Sequence, residues 1–350
     1  MVAHLHLDKV TTADRLSPEA LAAYQRGSMD TRRSIKLASK VKEGYSEEDI
    51  LARARPLVKE AIRYGVNAMR AFADTDTVSE LRAVRAMMAL RREFSRMIAI
   101  QVVAFPQEGI ETDPGAEEYV ERAMEEGADV VGGIPWLERD AAKQKLHIDK
   151  MFAIARKHSK PIAMLVDDAG DKSLRTLEML ARKTASEGME GQVQACHARA
   201  MQLYPDAYAR KVARLCKRAE VGVVSSPHTG PLHARIDLLR RYGVTVALGQ
   251  DDCSDAYYPF GRCNMLEVAF LASHILRKMT PADVEELYDM VTVNPARIIG
   301  SETGRISEGS PADLVVLSER SVTEALAVHG RPTAVVNRGI LVSRNGVEER

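Results

Sequence analysis

The chain has 350 residues, 45% hydrophobic and 28% charged, a soluble globular composition with room for one large domain and an appendage, or for two domains. Its formal net charge is zero and it carries only six Phe and one Trp, which removes the electrostatic case for nucleic acid or an anionic membrane and the stacking platform for single strands. No apolar run approaches the roughly 20 residues that span a bilayer, and no signal peptide opens the chain. Cys196, Cys216, Cys253 and Cys263 are too scattered for a CxxC zinc site or a disulfide framework, which fits a reducing cytoplasm.

Short β-rich apolar runs alternate with stretches of helical period. A strand over Val2–His6 is followed by a helix over Glu47–Tyr64, then a strand over Asn67–Phe72 and a helix over Val78–Arg92. The pattern repeats as Met97–Ala104 with Gly115–Glu126, Ala128–Ile134 with Ile148–His158, and Pro161–Val166 with Leu174–Glu187. It continues as Gln192–His197 with Pro205–Ala219, Val221–Ser226 with Leu232–Tyr242, and Val244–Gly249 with Asn264–Arg277. Strand-helix alternation implies parallel strands joined by crossovers, and eight units over about 250 residues predict a closed (β/α)8 TIM barrel. A doubly wound open sheet would carry a glycine phosphate fingerprint, which is absent. The barrel is expected over residues 1–303 and a small β appendage over 304–350: a strand at Ala312–Leu317, then a hairpin of Thr333–Asn337 and Gly339–Ser343 around Arg338.

Barrel chemistry gathers where strands end. Strand one ends in His4 and His6, two apart and therefore on one face, and two imidazoles converging in a dry interior suit a zinc- or iron-type cation. A pair of satisfied core histidines is the bland alternative. Strand eight runs into Gln250-Asp251-Asp252, beside strand one if the barrel closes, so Asp251 could ligate the metal and accept a proton; a helix cap is the competing reading. His197 ends strand six, where it could polarise substrate, ligate, or simply be hydrogen-bonded. Cys196 and Cys253 read as buried small side chains rather than nucleophiles.

In this order the residues resemble cytosine deaminase and its relatives in the amidohydrolase superfamily, including the N-alkylamino-triazine hydrolases. The resemblance rests on His4-Leu5-His6-Leu7-Asp8-Lys9, Val103–Ile110, Gly127–Pro135, Cys196–Met201, and Gly249-Gln250-Asp251-Asp252 with Tyr258-Pro259 and Asn264-Met265-Leu266. It implies one divalent metal, Zn or Fe, held by His4, His6 and Asp251, with His197 orienting the attacking water or ligating. It also implies Gln107 reading the amide-like edge of a small heterocyclic substrate and Asp168 standing for a proton-shuttling glutamate, while Phe72, Trp136 and Asp252 join the substrate pocket. The implied reaction is hydrolytic loss of an amine from a carbon flanked by nitrogens, in a protein that could form a homo-oligomer.

The departures are specific. Leu165 stands where the family has a metal-ligating histidine, and Phe72, Trp136 and Gln250 replace further histidines. His197, His228 or Asp167 is then expected to fill the gap. A stretch that the family carries before the first barrel strand is missing ahead of Met1, so the appendage is expected to be the remnant of a β-sandwich whose strands lack partners and expose their edges. Two readings follow: a metal-dependent hydrolase of C–N bonds in heterocycles, or a metal-poor, catalytically weakened homologue acting as a binding protein.

Overall fold

A computed structural model describes residues 1–25, 39–302 and 304–348. Eight parallel strands run in sequence order: β1 Val2–Leu5, β2 Ala68–Asp74, β3 Ala99–Phe105, β4 Val130–Gly133, β5 Ile162–Val166, β6 Val193–His197, β7 Gly222–Ser225 and β8 Val246–Leu248. Each is apolar almost throughout, because parallel strands packed beneath crossover helices are buried on both faces; all five residues of β5 are buried, for example. Beyond the strand ends, β8 meets β1 through a parallel bridge between Leu5 and Asp251. The amide of His6 donates to the Asp251 carbonyl at 2.8 Å and the amide of Asp251 to the His4 carbonyl at 3.0 Å. The seam that closes the barrel therefore fixes the His-x-His segment against Asp251.

The helical boundaries differ from the expected ones where capping, not apolar period, sets the start. The helix expected from Ile148 begins at Ala141, because Asp140 accepts the Lys143 amide at 2.9 Å and caps the first turn. The helix expected from Val78 begins at Arg82, since Asp76 Oδ1 takes the amides of Val78 and Ser79 into a turn instead. The segment Leu232–Tyr242 is helical only over Ile236–Arg241. Helices at Pro281–Asp289 and Val293–Ile299, unforeseen in the sequence, follow the eighth unit.

The tail is corrected in a more consequential way. Its strands do not lack partners: β9 Leu314–Val316, β10 Ala334–Asn337, β11 Ile340–Arg344 and β12 Val347–Glu348 form one antiparallel sheet in the order β12-β11-β10-β9. The unforeseen helix Val322–Val328 connects β9 to β10. The sheet docks on the barrel flank: Val315 packs on Gly65, where an added Cβ would lie 2.7 Å from Val315 Cγ2, and Asn67 Nδ2 donates to Asp313 Oδ2 at 3.2 Å. Arg331 pairs with Glu60, and Asn337 donates to the Met97 carbonyl. Val315 and Val316 remain 44% and 49% exposed, so the sheet keeps an apolar outer surface at β9.

Candidate active site

The strand ends bring His4, His6 and Asp251 together with their ligand atoms within 4.8 Å of one another, all three buried. His4 Nε2 and His6 Nε2 are 3.3 Å apart, and His197 Nε2 is 3.5 Å from Asp251 Oδ1. A tetrahedral zinc with bonds of about 2.0–2.1 Å has ligand-ligand edges of roughly 3.3–3.4 Å, close to these two spacings. Burial lowers the His4 pKa to about 4, helped by Arg199 and Lys9 and opposed by Asp251, and it carries His6 and His197 well below the ordinary value. Neutral imidazoles are the form that ligates. Burial works against the Asp251 carboxylate, but His197, His4 and Arg199 outweigh it and hold its pKa low. His197 and Asp251 both adopt left-handed backbone, φ +69° and +68°, as residues constrained by a site often do.

Of the residues named for filling the strand-five gap, His197 faces Asp251 directly, while His228 is held at the neighbouring Gln250. His228 Nε2 lies 3.2 Å from the Gln250 carbonyl and its ring packs on Tyr258. Asp167 is spent elsewhere: it accepts the Thr176 amide at 2.6 Å, the Thr176 hydroxyl at 2.7 Å, the Leu177 amide at 3.2 Å and the Tyr204 hydroxyl at 2.5 Å, capping the helix Thr176–Glu187. Leu165, 4% exposed, lines the cavity instead.

That cavity opens beside the cluster. Gln107, Asp168 and Asp252 line it. Phe72 and Trp136 are not among its lining residues: Phe72 stands beneath the histidines, its ring centroid 4.5 Å from His4 and 5.4 Å from His6, and Trp136 is buried in the turn after β4. The apolar wall is supplied by Ile134, Leu165 and Tyr257. Burial pushes the Asp168 pKa up to about 7, with Asp251 adding and Arg199 opposing. Asp252 is also pushed up, by burial and by the neighbouring carboxylates of Asp251 and Asp255.

Besides Ile134 and Tyr257, two lining residues that touch the carboxylates were not foreseen in the sequence. Arg199 Nε is 3.1 Å from Asp168 Oδ1, and its Nη2 donates to Thr229 Oγ1 at 2.8 Å. Thr229 Oγ1 is in turn 3.0 Å from Asp251 Oδ2, so Arg199 and Thr229 bridge the two carboxylates. Both lie in short 3-10 turns, two and four residues past a strand end, and no period marks them. Lys9, in the His4–Lys9 segment, joins the site from behind His6. Its ammonium sits 3.3 Å from His6 Nδ1, 2.5 Å from Asp74 Oδ1 and 3.6 Å from Asp8 Oδ1, filling the second acid-histidine cluster of His6, Asp8 and Asp74. All four cysteines are buried and free, and burial raises the Cys196 thiol, consistent with a packing role.

A family model described as the amidohydrolase family matches residues 3–342. The chain belongs to the amidohydrolase family. The N-isopropylammelide isopropyl amidohydrolase of Pseudomonas sp. (strain ADP) is 26% identical over 348 residues, spanning 99% of this chain and 85% of that protein. The pterin deaminase of Rhizobium rhizogenes is 26% identical over 359 residues, spanning 98% and 79%. The crystal structure of 5-methylcytosine deaminase from Klebsiella pneumoniae liganded with phosphonocytosine superposes with a TM-score of 0.91 at 31% identity, covering 100% of this chain and 87% of that one. The family member is thus of the cytosine deaminase-like branch, a hydrolase of non-peptide C–N bonds. The reading as a non-catalytic binding protein finds no support among these relatives. Among the described residues no helix is long and apolar enough to cross a membrane.

Proposed function

We propose that the chain hydrolyses the bond between a ring carbon and an exocyclic amine in a small nitrogen heterocycle, using one divalent metal, Zn or Fe. The observation that carries the reading is the buried His4–His6–Asp251 cluster on the closing seam, whose 3.3 Å nitrogen-nitrogen edge suits a tetrahedral cation. His4, His6 and Asp251 would hold the metal and His197 would complete or flank the set. A bound cation of this kind supplies Lewis acidity and brings the pKa of a coordinated water toward neutrality.

The side chains divide the remaining work. Asp251 receives the proton of the attacking water and passes it to the amine, which departs protonated as the C–N bond breaks; its carboxylate is steadied by Thr229 and Arg199. His197, with Nε2 facing Asp251 Oδ1, would orient the attacking water and steady the oxygen that this water places on the ring carbon. Asp168 carries a proton to the ring nitrogen and Arg199 holds it in position. Gln107 reads the amide-like edge of the ring, and Asp252 lines the same cavity. Ile134, Leu165 and Tyr257 exclude water and suit an apolar substituent on the departing amine better than the histidine-lined pocket of the family pattern does.

The test is amine or ammonia release by metal-replete protein from a panel of cytosine, 5-methylcytosine, pterin and N-isopropylammelide, run beside the Asp251→Asn variant. Release by the native chain and its loss in the variant is the expected result. No release from any member by folded, metal-loaded protein would overturn the reading.

A further inference from the structure

Outside the candidate metal cluster, a fully buried acid-imidazole pair stands behind the wall of the cavity, and neither the sequence reading nor the proposed reaction uses it. Glu138 and His147 are both 0% exposed. Glu138 Oε1 accepts from His147 Nδ1 at 2.8 Å, from the Ile110 amide at 2.9 Å and from the Glu111 amide at 3.1 Å, while Oε2 accepts from the Thr112 hydroxyl at 2.8 Å. On the other side of the imidazole, Nε2 accepts the Ile134 amide at 3.1 Å. One neutral tautomer satisfies every contact: Nδ1–H donates to the carboxylate and Nε2 offers its lone pair to Ile134.

The backbone is cut to fit this pair. Gly109 has φ +84°, and a Cβ there would lie 2.7 Å from Glu138 Oε1; a Cβ on Gly133 would lie 3.1 Å from His147 Nε2. Two glycines, Gly109 in the turn after β3 and Gly133 at the end of β4, therefore make room for two polar side chains that a dry interior would otherwise disfavour. The segments so tied are the turn after β3, which carries Gln107, and the end of β4, which carries Ile134; both residues line the cavity.

We propose that Glu138 and His147 are positioning residues that set the substrate wall of the cavity, one carboxylate fixing the Gln107 turn and, through the imidazole, Ile134. The proposal rests on the reading of that cavity as the substrate pocket. The ligands of the proposed metal come from β1, β6 and the end of β8, so the wall and the metal cluster are separable by mutation.

The chain holds a single Trp, and Trp136 lies between Ile134 and Glu138, which makes its fluorescence a direct reporter of this joint. In metal-replete protein, Glu138→Ala should shift Trp136 emission to the red and expose it to acrylamide, with metal content unchanged. On the best substrate of the heterocycle panel it should raise KM about ten- to a hundred-fold with a smaller fall in kcat. Glu138→Gln should restore the native values, because an amide oxygen still accepts the Ile110 and Glu111 amides and its NH2 can face the Thr112 hydroxyl. If Glu138→Ala does not fold, Gly109→Ala strains the same joint from the opposite side and should move emission and KM in the same direction. Native Trp136 emission and KM in the disrupted variant, or loss of metal along with KM, would overturn the proposal. Should no heterocycle be turned over by the native chain, the substrate reading fails by itself; the Trp136 contrast between Glu138→Ala and Glu138→Gln then decides the clamp, and equal emission from the two overturns it.

Discussion

Thr229→Val isolates one hydroxyl beside the proposed metal cluster. The Thr229 oxygen receives Arg199 Nη2 at 2.8 Å and lies 3.0 Å from Asp251 Oδ2 and 2.9 Å from the Ser226 carbonyl. Valine keeps the shape and removes the bridge, leaving Arg199 to reach Asp251 only across 3.6 Å. Hydrogen bonds to charged groups contribute about 1.5–3 kcal/mol, which is roughly a 10- to 150-fold change in an equilibrium. Loss of an outer partner of a metal ligand typically weakens binding by about 10- to 100-fold, so the two estimates agree. Competition titration of the apo protein with a chromophoric zinc chelator should show that weakening for Thr229→Val and near-native affinity for Thr229→Ser. Native affinity in the valine variant would refute the idea that Thr229 holds the Asp251 carboxylate for a cation.

Three further outcomes follow from other residues. Leu165→His places an imidazole on the cavity wall next to the His197 strand and should tighten zinc in the same titration; unchanged affinity would mean that the set on β1, β6 and β8 is already complete. Asp167→Asn turns an NH2 toward a pocket of donors and should cost about 1–3 kcal/mol, lowering Tm without changing metal content. Metal loss at native Tm would instead make Asp167 a ligand. The Glu138 pKa is held at about 2 because, although burial opposes its charge, the His147 contact and the two amides outweigh that cost. A depressed carboxylate stabilises the fold above its ordinary pKa of 4.5 and loses that contribution as pH falls toward 2. Urea midpoints of the native chain and Glu138→Ala should therefore converge across that window, and a constant gap would contradict the assignment.

The barrel was legible because its signal is coarse. Eight buried parallel strands read as apolar runs, and a boundary error of two residues leaves their order intact. His4, His6, Asp251 and His197 were legible because strand alternation and strand ends fix where such side chains point. Arg199 and Thr229 were not, since they reach the site from short 3-10 turns past the strand ends, through a backbone path that no period encodes. The same limit applies to Phe72 and Trp136, whose residue types suit a pocket wall but whose positions put them under the histidines and behind the β4 turn. The strands and hairpin of the tail were legible, but the pairing of its first strand was not. Its strands find one another across Val322–Val328, a long-range pairing that a local reading assigned to a missing partner.

The central claim is that His4, His6 and Asp251 hold one functional cation. Elemental analysis of protein purified without chelator, after supplementation with zinc, iron and manganese, tests it directly when run beside Asp251→Asn. Close to one metal per native chain is expected, and far less in a variant that is still folded by circular dichroism. Metal well below one per native chain, or equal occupancy in the variant, would contradict it.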